Sequence, residues 1–219
     1  MSSTTTITTT ASKPKRPDPD PSPRITDVHD LVRALSQIHP ISKPIAAFFA
    51  AHSVSLSLPR KKALLKVGTI CHHVYFIRKG ALRAFMKDGN KEITTWITVE
   101  NELVTSIAGL NIQQPSKEFI QALEPCELLV MSYEDLEKLY ELHPEFNIIT
   151  RKLLQRYYHD AENRAFISRI PKADQRYRHF LETQPHLANR IPLRYIASYL
   201  GLALETLSRV RKKISSNEL

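Results

Sequence analysis

Cysteine is almost missing from this 219-residue chain: Cys71 and Cys126 are too few for a disulfide framework, a four-cysteine zinc site or an iron–sulfur cluster, and they point to a reducing, cytoplasmic setting. Long apolar runs are missing too. No stretch approaches the roughly 18 residues that a membrane span needs, and the opening MSSTTTITTT lacks the charged start and apolar core of a secretion leader, so the reading expects neither membrane insertion nor export. Histidine clusters are absent: His72-His73 is the one adjacent pair, and neighbours on a strand face opposite ways, so the two cannot share a metal. No set of nucleophile, base and acid converges, and the expectation is that the chain is not an enzyme.

What is present is an ordinary globular composition, 42% hydrophobic and 24% charged, with a net charge of +9. The charge is unevenly placed. From Arg151 onward there are 14 Lys and Arg against six Asp and Glu, whereas the remainder is close to balance. A basic last third is the electrostatic footprint of a polyanion-binding module, although the same excess also serves solubility.

The chain divides by pattern. Residues 1–24, Ser/Thr-rich and then Pro-rich (PKRPDPDPSP), have almost nothing to bury and read as a disordered tail. Val28, Leu31, Val32 and Leu35 form one helical stripe, and Ser42-Lys43-Pro44 starts a second helix. From Val54 to Met131 the period changes: SVSLSL, YFI, LRAFM, EITTWITV and ELLVM are short strand-like runs, punctuated by turn signals at Val67-Gly68, Lys79-Gly80 and Asp88-Gly89-Asn90. Ser132 and Asp135 then make a capping box, and a long helix follows His143-Pro144. In it Phe146, Ile149, Leu153 and Tyr157 repeat as a seam expected to pair two chains, while Leu154, Tyr158 and Ala161 occupy the opposite face, so that one side can pack inward as the other pairs.

The segment from Ile191 to Lys213 carries the function. Pro192 suits a helix start, Leu193, Ile196, Ala197 and Leu200 form a buried stripe, Gly201 turns the chain, and Leu207, Val210 and Ile214 form the apolar face of a second helix. Glu205, Ser208, Arg209 and Lys212 line the opposite face. This is the arithmetic of a helix-turn-helix, in which Arg209 can fork onto guanine, Glu205 can accept from cytosine, Thr206 and Ser208 can reach phosphate, and Arg194 and Lys212 are further candidate DNA contacts. The same pattern also fits a plain helical core with a solvated face.

The run Glu205-Thr206-Leu207-Ser208-Arg209 after Ile196-Ala197-Ser198-Tyr199-Leu200-Gly201 resembles the recognition-helix signature of the Crp/Fnr family of bacterial transcription regulators. Upstream, YFIRKGALRAF and DGNKEI resemble that family's cyclic-nucleotide-binding β-roll. The resemblance covers roughly Val54 to Lys213 and is closest to short members that end soon after the recognition helix. It implies an α+β fold: an antiparallel, jelly-roll-like β-roll sensor domain with flanking helices (25–143), a dimerisation helix (144–169) and a small all-α helix-turn-helix domain (170–219). It also implies a homodimeric, cytoplasmic, sequence-specific DNA-binding regulator with double-stranded DNA, itself and RNA polymerase as partners. A ligand-binding or protein-interaction module with a purely structural helix-turn-helix is the alternative.

The departures from the family matter. Where cyclic-AMP-binding members carry a Gly-Glu pair and an Arg-Ser/Thr-Ala run, this chain has Thr105-Ser106 and Ser116-Lys117-Glu118, so the ribose glutamate and the phosphate arginine are both replaced. Thr105, Ser106, Ser116 and Lys117 are the candidate effector-pocket residues. The expectation is an unidentified small molecule or no effector, rather than cyclic AMP, and no cofactor or metal. In the recognition helix, Leu204 stands where members often have arginine and Ala203 where they have a Ser/Thr cap.

Overall fold

The computed structural model describes residues 26–217; the expected tail, 1–24, lies outside them. Helices α1 (His29–Ser36) and α2 (Lys43–His52) precede strands β1 (Val54–Leu58), β2 (Ala63–Leu65), β3 (His73–Lys79), β4 (Leu82–Asp88), β5 (Lys91–Thr98) and β6 (Leu103–Val104). A short helix α3 (Ile107–Ile112) leads to β7 (Phe119–Ala122) and β8 (Cys126–Ser132). Six helices follow: α4 (Tyr133–Leu142), α5 (Phe146–Arg169), α6 (Ala173–Thr183), α7 (Pro185–Ala188), α8 (Leu193–Tyr199) and α9 (Leu204–Asn217).

The strands form two four-stranded antiparallel sheets, ordered β1-β8-β3-β6 and β2-β7-β4-β5. Apart from the β4–β5 hairpin, successive strands cross from one sheet to the other, as in a jelly roll. Tyr75, Ile77, Leu82, Ala84, Ile120, Leu128 and Val130 point between the sheets, whereas Phe76, Leu129 and Met131 point outward beneath α1, α2, α4 and the start of α5. Burial on both faces explains why YFI and LLVM are continuous apolar runs, in contrast to the alternating SVSLSL of β1. Helices α3 and α7 and strands β2, β6 and β7 were not expected; at two to six residues they are too short to set up a period that a sequence pattern can display.

Ser132 caps α4 as expected, its hydroxyl accepting from the Asp135 amide at 3.0 Å and donating to the Asp135 carboxylate at 2.7 Å. The expected pairing seam of α5 is corrected. Phe146, Ile149 and Leu153 are buried against the sheet and α1 within one protomer, and Tyr157 packs on the same cluster. Its hydroxyl donates to Glu102 Oε2 at 3.1 Å and accepts from the Leu103 amide at 3.0 Å. The apolar stripe chosen from spacing therefore serves the core, because a sheet offers a heptad-like face as good a partner as a second helix does. The opposite face remains open: Leu154 is 58% and Tyr158 75% exposed, and Phe166 further along the helix is 56% exposed.

Candidate nucleic-acid interface

Helices α6, α7, α8 and α9 share one core built on Tyr177, Phe180, Leu187, Ile191, Ile196, Leu200, Leu207 and Ile214. Pro192 stands as the residue before α8, one position earlier than the first helical turn, and leaves the Tyr195 amide bonded to its own carbonyl at 2.9 Å. Gly201 adopts φ +64, the left-handed conformation that a turn between helices demands and that side chains resist. Arg176 pins this turn, donating to the Leu200 carbonyl at 2.6 Å and twice to the Ile170 carbonyl at 2.7 and 3.1 Å. In the sequence it counted only as one more positive charge; no local pattern marks an arginine whose partners are backbone carbonyls six and 24 residues away.

Buried Leu207 and Ile214 anchor α9, and Glu205, Ser208, Arg209 and Lys212 all stand exposed on its other side, with Thr206 half-buried at the edge. Cations, an acid and a hydroxyl thus share one solvent-facing stripe, the side-chain types that contact base edges and phosphates. Arg194 lies on α8 and is exposed, but it folds back over Tyr195, donating to its hydroxyl at 2.7 Å. Arg211, which the sequence reading did not single out, donates to Asn189 Oδ1 at 2.9 Å and braces α9 against the loop before α8.

The helix-turn-helix is docked on the β-roll. Ala81, Ile97 and Leu123 of the roll extend its core. Ser198 of α8 straddles strand β5, its hydroxyl donating to the Glu92 carbonyl at 2.8 Å and accepting from the Thr94 amide at 2.9 Å. Arg190 forks onto two acids of the roll, Glu100 at 2.6 and 2.7 Å and Glu124 at 2.8 and 2.9 Å. Hydrogen bonding from Arg190 holds the Glu100 carboxyl at about 2, below its ordinary 4.5, and the two acids raise the guanidinium in turn. Beside this junction a crevice of about 400 Å³ opens between β5, the end of α5, α6 and the α8 turn.

The candidate effector residues are already engaged. Thr105 donates to the His73 carbonyl at 3.0 Å, and Ser106 caps α3 by accepting from the Gly109 amide at 3.4 Å. Buried Ser116 donates to the Glu118 carbonyl at 2.9 Å and accepts from the Glu118 amide at 3.2 Å, while Lys117 is exposed. α3 sits so close to the strand entry that a Cβ on Gly109 would lie 2.7 Å from the Cys71 nitrogen. A cyclic nucleotide needs a charged fork for its phosphate and a carboxylate for its ribose; internally bonded hydroxyls and one solvated lysine do not fit it.

Comparison with known proteins agrees with this architecture. Residues 55–143 match the family described as cyclic nucleotide-binding domain. The transcriptional activator protein FnrA of Stutzerimonas stutzeri is 29% identical over 174 residues, 74% of this chain and 70% of that protein. The cAMP-activated global transcriptional regulator CRP of Pasteurella multocida is 23% identical, covering 84% of this chain and 93% of the relative. Among solved structures, the c-di-GMP-responsive global regulator CLP of Xanthomonas campestris superposes with a TM-score of 0.64 at 20% identity, covering 81% of this chain and 94% of that one. A CooA variant from Carboxydothermus hydrogenoformans also reaches 0.64, at 18% identity, covering 88% and 87%. The β-roll thus matches the cyclic nucleotide-binding domain family, and the α+β chain as a whole is similar to transcription regulators of the Crp/Fnr type.

Proposed function

We propose that the protein is a sequence-specific regulator of transcription that binds double-stranded DNA as a homodimer, with α9 as its recognition helix and no catalytic activity of its own. The observation that carries this reading is the exposed stripe Glu205, Ser208, Arg209 and Lys212, displayed by a helix whose other side is locked into a core. The excess positive charge of the last third supplies the long-range attraction that such an interface needs. Dimerisation is assigned to the open side of α5, Leu154, Tyr158 and Ala161, in place of the inward seam. Among the described residues no helix is long and apolar enough to cross a membrane, which fits a regulator that works in the cytoplasm beside DNA and RNA polymerase.

The β-roll on this reading senses a small molecule other than cyclic AMP, or transmits no ligand signal. Selection of duplexes from a random pool by the purified full chain, followed by affinity measurements at several salt concentrations, tests the assignment. An enriched two-fold symmetric sequence bound at least about a thousand-fold above random DNA supports it. Equal affinity for all duplexes, or none, leaves the helix-turn-helix as a structural element.

A further inference from the structure

Arg83 on β4 is 2% exposed, the one charged side chain buried to this degree among the described residues. A guanidinium stays protonated, so its burial must be matched by pairing on every side. In its plane it donates to Glu92, to Gln121 Oε1 at 2.9 Å through Nη2 and 3.3 Å through Nε, and to Thr94 Oγ1 at 3.5 Å. Its faces meet two aromatic rings: Cζ lies 4.1 Å from the centre of Phe85, on the roll, and 4.1 Å from the centre of Tyr195, on α8. The column continues at both ends, with Phe119 stacked on Phe85 at 5.1 Å and Arg194 over Tyr195 at 4.6 Å.

The roll's own residues satisfy this arginine's edge and, through Phe85, one of its faces; Tyr195 is the ring that the helix-turn-helix lays on the other. A desolvated cation on an aromatic face is oriented as well as attracted, because the ring's negative charge is concentrated at its centre. Tyr195 and Ser198 lie on the same short helix, so the stack and the Ser198 bridge to β5 together fix how α8 is rotated on the roll.

We propose that Arg83 is a positioning residue for DNA recognition: acting through the Tyr195 ring, it sets the angle at which the helix-turn-helix is held on the β-roll, and thereby the separation of the two recognition helices in the dimer. Half-sites must lie about one helical turn apart for two such helices to enter the groove together, so an angle held rigidly is read out as discrimination between spacings. This inference rests on the DNA-binding reading above and on the dimer that goes with it.

The experiment measures affinities of the full chain for its selected duplex, for the same duplex with one or two base pairs added to or removed from the centre, and for a single half-site. The wild type is expected to lose at least about tenfold on any change of spacing. Tyr195→Leu is expected to bind the best spacing about tenfold more weakly, to lose no more than about threefold on the half-site, and to treat all spacings alike within about twofold. Tyr195→Phe, which keeps the ring, retains discrimination, and Arg83→Met behaves as Tyr195→Leu does. Should Arg83→Met fail to fold by circular dichroism, Tyr195→Leu carries the test alone, since it leaves the roll's own contacts in place. Wild-type discrimination in Tyr195→Leu, or its loss in Tyr195→Phe, overturns the proposal while the DNA reading stands. A wild type that binds its selected duplex without regard to spacing overturns it as well, and absence of DNA binding by the wild type overturns both.

Discussion

Arg209 and Lys212 stand one turn apart on the exposed side of α9 and carry the same charge, yet they are expected to behave differently. A guanidinium can fork onto a guanine edge, so Arg209→Ala should cost about 1–3 kcal/mol on the preferred duplex and relax selectivity at one base pair. Lys212→Ala should weaken all duplexes evenly and reduce the slope of log affinity against log salt by about 1. Fluorescence titrations on matched and single-substituted duplexes distinguish the two outcomes. In the β-roll, two lost hydrogen bonds to charged groups, at about 1.5–3 kcal/mol each, weaken a cyclic nucleotide by roughly a hundredfold to ten-thousandfold. Calorimetry with cyclic AMP and cyclic GMP is therefore expected to show no dissociation constant near or below micromolar, and DNA affinity should not change on adding either. Single residues were legible in the sequence where the chemistry is local: Ser132 and Asp135, or the exposed stripe of α9, follow from spacing alone. Arg83 and Arg176 were not, because what they touch comes from strands and helices far along the chain.

Among the elements, α5 is the one whose inward side was read as a pairing seam. Both sides have helical apolar spacing, and spacing alone does not say which meets the sheet; burial does, with Leu153 5% and Leu154 58% exposed. Leu153→Ala should thus cost about 2–5 kcal/mol of folding stability in urea without changing the oligomeric state. Leu154→Glu should do the reverse, leaving the unfolding midpoint of the protomer nearly unchanged but shifting sedimentation from dimer toward monomer. A dimeric Leu154→Glu protein would place the interface elsewhere. The strands with turn signals between them were legible, since period two and a Gly-Asn turn are both short-range features; β5 and its hairpin with β4 follow directly. The short helix α3 escaped notice for the opposite reason: its position depends on Gly109 packing against Cys71, a contact made across 38 residues of chain.

At the scale of the molecule, the roll and the helix-turn-helix are held together by a charged junction that has its own pH response. Arg190 holds the Glu100 carboxyl down at about 2 from its ordinary 4.5, so the stabilisation is fully present above about pH 4.5 and is lost as pH falls from there toward 2. Small-angle scattering should show a constant radius of gyration from pH 7 to 5 and an increase as pH falls below about 4. Glu100→Gln should be expanded already at pH 7 and respond less. A wild type that stays compact at pH 3 would show that the apolar contacts of Ala81, Ile97 and Leu123 suffice for docking. The bridge from Ser198 to β5 has a consequence of a different kind. β5 is the outer strand of its sheet, and only its first residues carry the charges Lys91 and Glu92 that discourage unwanted neighbours. The middle of the strand, Ile93 to Ile97, is β-branched apart from the aromatic Trp96, and α8 is what lies across it. Any state in which the helix-turn-helix swings free uncovers a strand edge able to add a strand from another chain. The helix-turn-helix domain thereby doubles as a solubility guard, and loosening it should be seen first as concentration-dependent clumping of otherwise folded β-rolls.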